Sequence, residues 1–89
     1  MISRTTASFW ACFDALPPVI QTRAHIAYKK FETNPGHPGL NFEKVHAAEP
    51  FYSVRVDLRW RAVGRLERDV NTRFWIGHHH KYDRLVRSI

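Results

Sequence analysis

Asn34-Pro35-Gly36-His37-Pro38-Gly39 divides this chain into two kinds of periodicity, and the fold follows from that division. Proline removes a backbone donor and fixes φ, and glycine relaxes φ, so neither a helix nor a strand is expected to run through the segment. Upstream of it the apolar residues recur at helical spacing, and downstream they alternate. Thr5 and Thr6 are candidate N-caps for a short helix over about residues 6 to 15, with Phe9, Trp10, Phe13 and Leu16 as its apolar stripe. Leu16-Pro17-Pro18 breaks that helix, and Pro18 suits the first turn of the next. The second helix is expected to reach about Glu32, with Ile20, Ala24, Ala27, Tyr28 and Phe31 on one face. A tight proline turn between two helices predicts an antiparallel helical hairpin.

Beyond the break, Asn41 to His46 reads as a weak strand and Phe51 to Leu58 as a stronger one, with Tyr52, Val54, Val56 and Leu58 on one face. Arg59 to Glu67 alternates Trp60, Ala62, Gly64 and Leu66 against Arg59, Arg61, Val63 and Arg65. A polar turn near Arg68-Asp69-Val70-Asn71 leads to a last strand from Arg73 to about His78, then a short final helix. Any N-terminal strand is confined to Ile2 to Arg4. The expected fold is α+β, an N-terminal helical hairpin on a three- to four-stranded antiparallel meander, as one domain over residues 1–89.

Composition narrows the function classes. Eighty-nine residues leave room for one core, and six Phe, three Trp and three Tyr suffice to close it. The net charge is +6, mostly from arginine, whose planar fork matches phosphate oxygens, so an anionic partner is expected. Cys12 stands alone among Phe9, Trp10 and Phe13, which excludes an internal disulfide and fits a reducing cytosol. With no apolar run of spanning length and no signal-peptide pattern, the reading is cytoplasmic, with no membrane partner.

Alternation also distributes the charge. If Val54, Val56, Trp60 and Ala62 face the helices, then Arg55, Arg59, Arg61 and Arg65 project from the opposite face, an expected phosphate-binding surface. It ends beside Gly77-His78-His79-His80-Lys81-Tyr82-Asp83. Histidine titrates nearest neutrality and suits proton transfer. No metal site is expected in the triplet, because adjacent residues on a strand point to opposite sides and no acid or thiolate accompanies them. No cofactor is expected either. His25, His37 and His46 read as surface or loop residues.

Taken in order, several pieces resemble the RelE/ParE superfamily of bacterial toxins, in particular the short members described as cytotoxic translational repressors or plasmid-stabilisation toxins. They are Arg4-Thr5-Thr6 with Phe9-Trp10, Leu16-Pro17-Pro18, Asn34-Pro35 with His37-Pro38-Gly39-Leu40, and Phe42-Glu43-Lys44-Val45. Tyr52-Ser53-Val54-Arg55-Val56, Trp60-Arg61-Ala62-Val63-Gly64, and Phe74-Trp75-Ile76-Gly77 leading to His79, Tyr82, Asp83 and Leu85 complete the series. The resemblance implies a cognate antitoxin and an oligomeric complex with it. Family activities divide between ribosome-dependent mRNA cleavage and poisoning of DNA gyrase. A metal-free mRNA interferase reading assigns Arg61, His79 and Tyr82 as catalytic residues. It gives Lys44, Arg55, Arg59 and Arg65 phosphate contacts, and makes Asp83 the residue that orients His79. Gyrase poisoning and a non-catalytic, antitoxin-binding member are the alternatives.

Overall fold

The computed structural model describes residues 2–89. Thr6 lies in extended backbone and its hydroxyl accepts the Phe9 amide at 3.1 Å, which starts α1, Ala7–Asp14. That bond satisfies one of the N–H groups every helix start leaves unpaired. α2, Pro18–Thr33, begins on a proline whose missing donor costs nothing at the first turn. It stops at Asn34, and the turn-rich segment follows as expected, with a 3₁₀ turn over Pro38–Leu40. His37 starts that turn by accepting the Gly39 amide at Nδ1, 3.1 Å away. His46 likewise accepts the Ala48 and Glu49 amides, so two loop histidines act as local staples.

The strands are β1 (Ile2–Thr5), β2 (Glu43–Lys44), β3 (Phe51–Asp57), β4 (Trp60–Glu67) and β5 (Val70–His78), followed by α3 (His79–Ser88). They form one sheet in the order β1-β5-β4-β3-β2. The expected antiparallel meander of three to four strands is therefore a five-stranded mixed sheet. β1 pairs in parallel with β5, Ile2 opposite Val70 and Thr5 opposite Arg73. Ile2 N–H donates to the Asp69 carbonyl at 2.7 Å and Thr6 N–H to that of Arg73 at 3.1 Å, so the N-terminal segment covers what would be an open sheet edge. The β4–β5 turn is also tighter than the sequence suggests. Arg68 and Asp69 alone occupy it, both at positive φ (56° and 115°), which frees Val70 and Asn71 to join β5.

α1 packs on β5 and α2 on β3, over one sheet face. Phe9, Leu16, Ile20, Ala24 and Ile76 form one buried cluster there, and Ala27, Phe31 and Leu40 a second. Cys12 is half-buried against the first. The opposite face, where alternation predicted a row of projecting arginines, is partly covered. Val63 is only 1% exposed, held in register between Ser53 on β3 and Trp75 on β5, and α3 turns back to pack on β4 and β5. That return places the histidines and Tyr82 over the sheet.

Candidate functional site on the second sheet face

Arg61 is the centre of this face. Its Nη1 donates to the Ser53 hydroxyl at 3.2 Å and lies 3.7 Å from a Glu43 carboxylate oxygen. Ser53 is fully buried, so the acceptor is fixed, whereas Glu43 is half-exposed on a two-residue edge strand. The Arg61 side chain is largely buried, but the separation is long and water screens the Glu43 end, so an anion that reaches the guanidinium more closely can displace it. The Arg61 guanidinium stacks on the Tyr82 ring, 5.3 Å from its centroid.

Tyr82 reaches that position because of what lies beneath α3. Trp75 is 6.3 Å from it, centroid to centroid, and Trp75 in turn covers Gly77. A Cβ at Gly77 would fall 2.8 Å from the indole Cζ2, so only glycine leaves the ring its place. Beyond Tyr82, an open groove is lined by Glu43, Lys44, Val45, Asp83, Val86 and Arg87. Of the expected residues, the structure thus brings Arg61, Tyr82, Lys44 and Asp83 together. Arg87, on the last turn of α3, adds a cation that sequence reasoning missed, since nothing in the chain's local pattern links it to β2.

The remaining arginines are dispersed. Arg55 is the cross-strand partner of Arg61 and also borders a second groove with Arg23, Lys30 and Leu40. Arg59 lies exposed between β3 and β4, and its carbonyl accepts the His79 amide at 2.8 Å. Arg65 sits four residues along β4 from Arg61, about 13 Å away at strand rise. There it hydrogen-bonds Glu67, the main reason its pKa is raised, and stacks on Phe51. Arg65 is therefore a partnered charge away from the groove. Arg73 was not singled out by the sequence, yet it is half-buried on the helical side, its guanidinium 4.0 Å from the Tyr28 centroid and 4.9 Å from that of Phe9. Burial lowers its pKa, and its Nε has no hydrogen-bond partner.

The histidines stand where β5 becomes α3. His78 is the N-cap, its Nδ1 accepting the His80 amide at 3.3 Å, and its ring meets Trp60 edge-on at 5.1 Å. Partial desolvation lowers its pKa first, with the positive charges of His79, His80, Arg59 and Lys81 adding to the effect. His79 begins α3, three residues before Tyr82 and four before Asp83, so all three share one helix face. Its Nδ1 is buried without a hydrogen-bond partner. The expectation that the three imidazoles diverge fails: one ligand nitrogen from each lies within 4.8 Å of the others. The reason is the change of backbone, because successive side chains turn about 100° in a helix instead of 180° in a strand.

Comparison with known proteins places this geometry in a family. A family model described as a ParE-like toxin domain matches residues 18–84. No curated protein matches the sequence. Among solved structures, a chain of the RelB–RelE antitoxin–toxin complex of Methanococcus jannaschii superposes with a TM-score of 0.73 at 14% identity, covering 91% of this chain and 96% of that one. The YoeB/ParE toxin of Agrobacterium tumefaciens gives 0.70 at 14% identity, with 89% and 99% covered. YafQ of E. coli gives 0.70 at 9% identity, with 90% and 94% covered. At such identities the superpositions speak for the fold, and the family match spans α2 to most of α3. The chain belongs to the ParE-like toxin domain family of the RelE/ParE superfamily.

Proposed function

We propose that this protein is the toxin of a toxin–antitoxin pair and stops translation by cutting mRNA on the ribosome. The observation that carries the reading is Arg61, fixed by buried Ser53, paired with half-exposed Glu43, and stacked on Tyr82, which with Glu43 lines the adjoining open groove. RNA phosphate competes for that guanidinium against a single, long carboxylate pair whose Glu43 end is exposed. The 2′-hydroxyl then attacks phosphorus, forming the O2′–P bond and breaking the P–O5′ bond. His79 and Tyr82, one turn apart on α3, exchange the two protons, one taken from the 2′-oxygen and one delivered to the leaving 5′-oxygen. Arg61, with Arg55 opposite it, stabilises charge on the phosphoryl oxygens. Lys44 and Arg87 hold the flanking backbone, and Asp83 orients His79 from the next turn. Arg59 remains a candidate phosphate contact at the β3–β4 turn, whereas the Glu67 pairing removes Arg65 from that role.

An antitoxin partner is supported by the RelB–RelE complex, whose chain shares this fold. Covering the Arg61 groove with acidic residues is the direct way for it to silence the site.

A second reading, poisoning of DNA gyrase, is favoured by the family match, which is to a ParE-like model. A translation extract programmed with a defined mRNA separates the two. Primer-extension stops that appear only with the protein and with ribosomes support cleavage. Intact mRNA, with cleaved DNA complexes in a parallel gyrase supercoiling assay, supports the second reading and overturns the first.

A further inference from the structure

We propose that His78, His79 and His80 form a binding site for a divalent transition-metal ion, of the zinc or copper class, at the β5–α3 junction. Three neutral imidazoles supply three nitrogen donors, a set that suits zinc and copper and gives magnesium or calcium no oxygen ligand. The ring centroids are already 4.2 Å, 4.5 Å and 5.0 Å apart. Nitrogens around a tetrahedral zinc are about 3.3 Å apart for bonds near 2.0 Å. Starting from nitrogens within 4.8 Å of one another, side-chain rotation closes the difference without moving the backbone.

Two further observations point to a ligand. The His79 Nδ1 is buried and unpartnered, a position in which a lone pair left without a donor is costly and a metal would satisfy it. The His78 ring is held edge-on against Trp60, and its Nδ1 carries a lone pair that now accepts the His80 amide over a long 3.3 Å and that an ion can take in its place. Opposing terms are also present: Arg59 and Lys81 are close enough to act on His78, and the positive end of α3 lies beneath. No carboxylate belongs to the cluster. The site therefore takes metals by the strength of the nitrogen bond, copper ahead of zinc, and exchanges them readily.

One consequence rests on the mRNA-cleavage reading above. A metal held by His79 removes its lone pair from proton transfer, so the ion acts as a reversible inhibitor that a chelator relieves.

Binding itself is tested without reference to cleavage, by titrating the purified full chain with zinc chloride and copper chloride by calorimetry at pH 7.5. One ion per chain is expected. Affinity should fall by about tenfold or more in His80→Gln and in His78→Gln. Zinc should raise the melting temperature of the wild type and leave that of His80→Gln unchanged. Copper electron paramagnetic resonance should report several nitrogen ligands. His80 is exposed, so its substitution keeps the fold, and circular dichroism checks that it does. A chain that binds no metal, that binds equally after His80→Gln, or that loses binding only when His25, His37 and His46 are replaced, overturns the proposal. Loss of cleavage activity alone leaves it standing.

Discussion

Gly77→Ala probes the arrangement that delivers Tyr82 to Arg61. Its new Cβ would lie 2.8 Å from Cζ2, 3.0 Å from Cη2 and 3.4 Å from Cε2 of Trp75. Carbon pairs rest at about 3.5–4.0 Å, so the indole must move by roughly 1 Å. It cannot shift sideways over β4, because Val63, its cross-strand neighbour there, is fully packed. It must rise toward α3, where Tyr82 stands 6.3 Å away. Overpacking of this kind costs about 1–3 kcal/mol. Alanine recovers about 0.5–1 kcal/mol of the backbone entropy that glycine loses in a strand, and no positive φ adds strain. Taking the middle of both ranges, the net loss is about 1 kcal/mol, which in a domain this small lowers Tm by about 4–8 °C. Thermal unfolding followed by circular dichroism measures it. Gly36→Ala is the control, because its Cβ would meet only Asn34 Oδ1, at 3.4 Å. That variant should be as stable as the parent or slightly more so. A Gly77→Ala protein that melts with or above the parent would refute the packing argument.

Two other perturbations follow from the same geometry. Leu40 is 2% exposed at the end of the 3₁₀ turn and joins Ala27 and Phe31, so Leu40→Ala should cost about 2–5 kcal/mol in urea unfolding. His78 has its pKa lowered in the folded chain, so as pH falls through the ordinary histidine range the unfolded state takes the proton first. In chelator-containing buffer, stability should therefore decline on acidification through that range. The His78 ring proton should titrate by NMR below its free value, and His78→Asn should flatten this component of the decline.

The helical half was legible because its signals are local. Thr6, Pro18 and Asn34 mark boundaries by their own chemistry, and α1 and α2 begin and end within about two residues of where those marks fall. The alternating runs of β3 and β4 were equally direct. β1 was not read as part of the sheet core because its four residues carry no pattern, and its pairing joins positions 2 and 70. Val63 was misassigned because alternation tells which side a residue faces, not whether a later element covers that side. Arg61 and Tyr82 were found together, whereas Arg87 and Arg73 were missed, because their surroundings are made only by α3 and α2 folding onto the sheet. The strand end at His78 was legible, but the triplet was read with strand geometry although His79 and His80 already belong to α3.

The central claim is that the Arg61 groove acts on mRNA. Ribosomes programmed with a defined message and given excess toxin provide the direct measurement, as the single-turnover cleavage rate of wild type against Arg61→Gln. Removal of a preorganised charge from a phosphoryl site predicts a loss of about 100-fold or more, with the variant still folded. An Arg61→Gln protein that cuts at the parent rate would contradict the account.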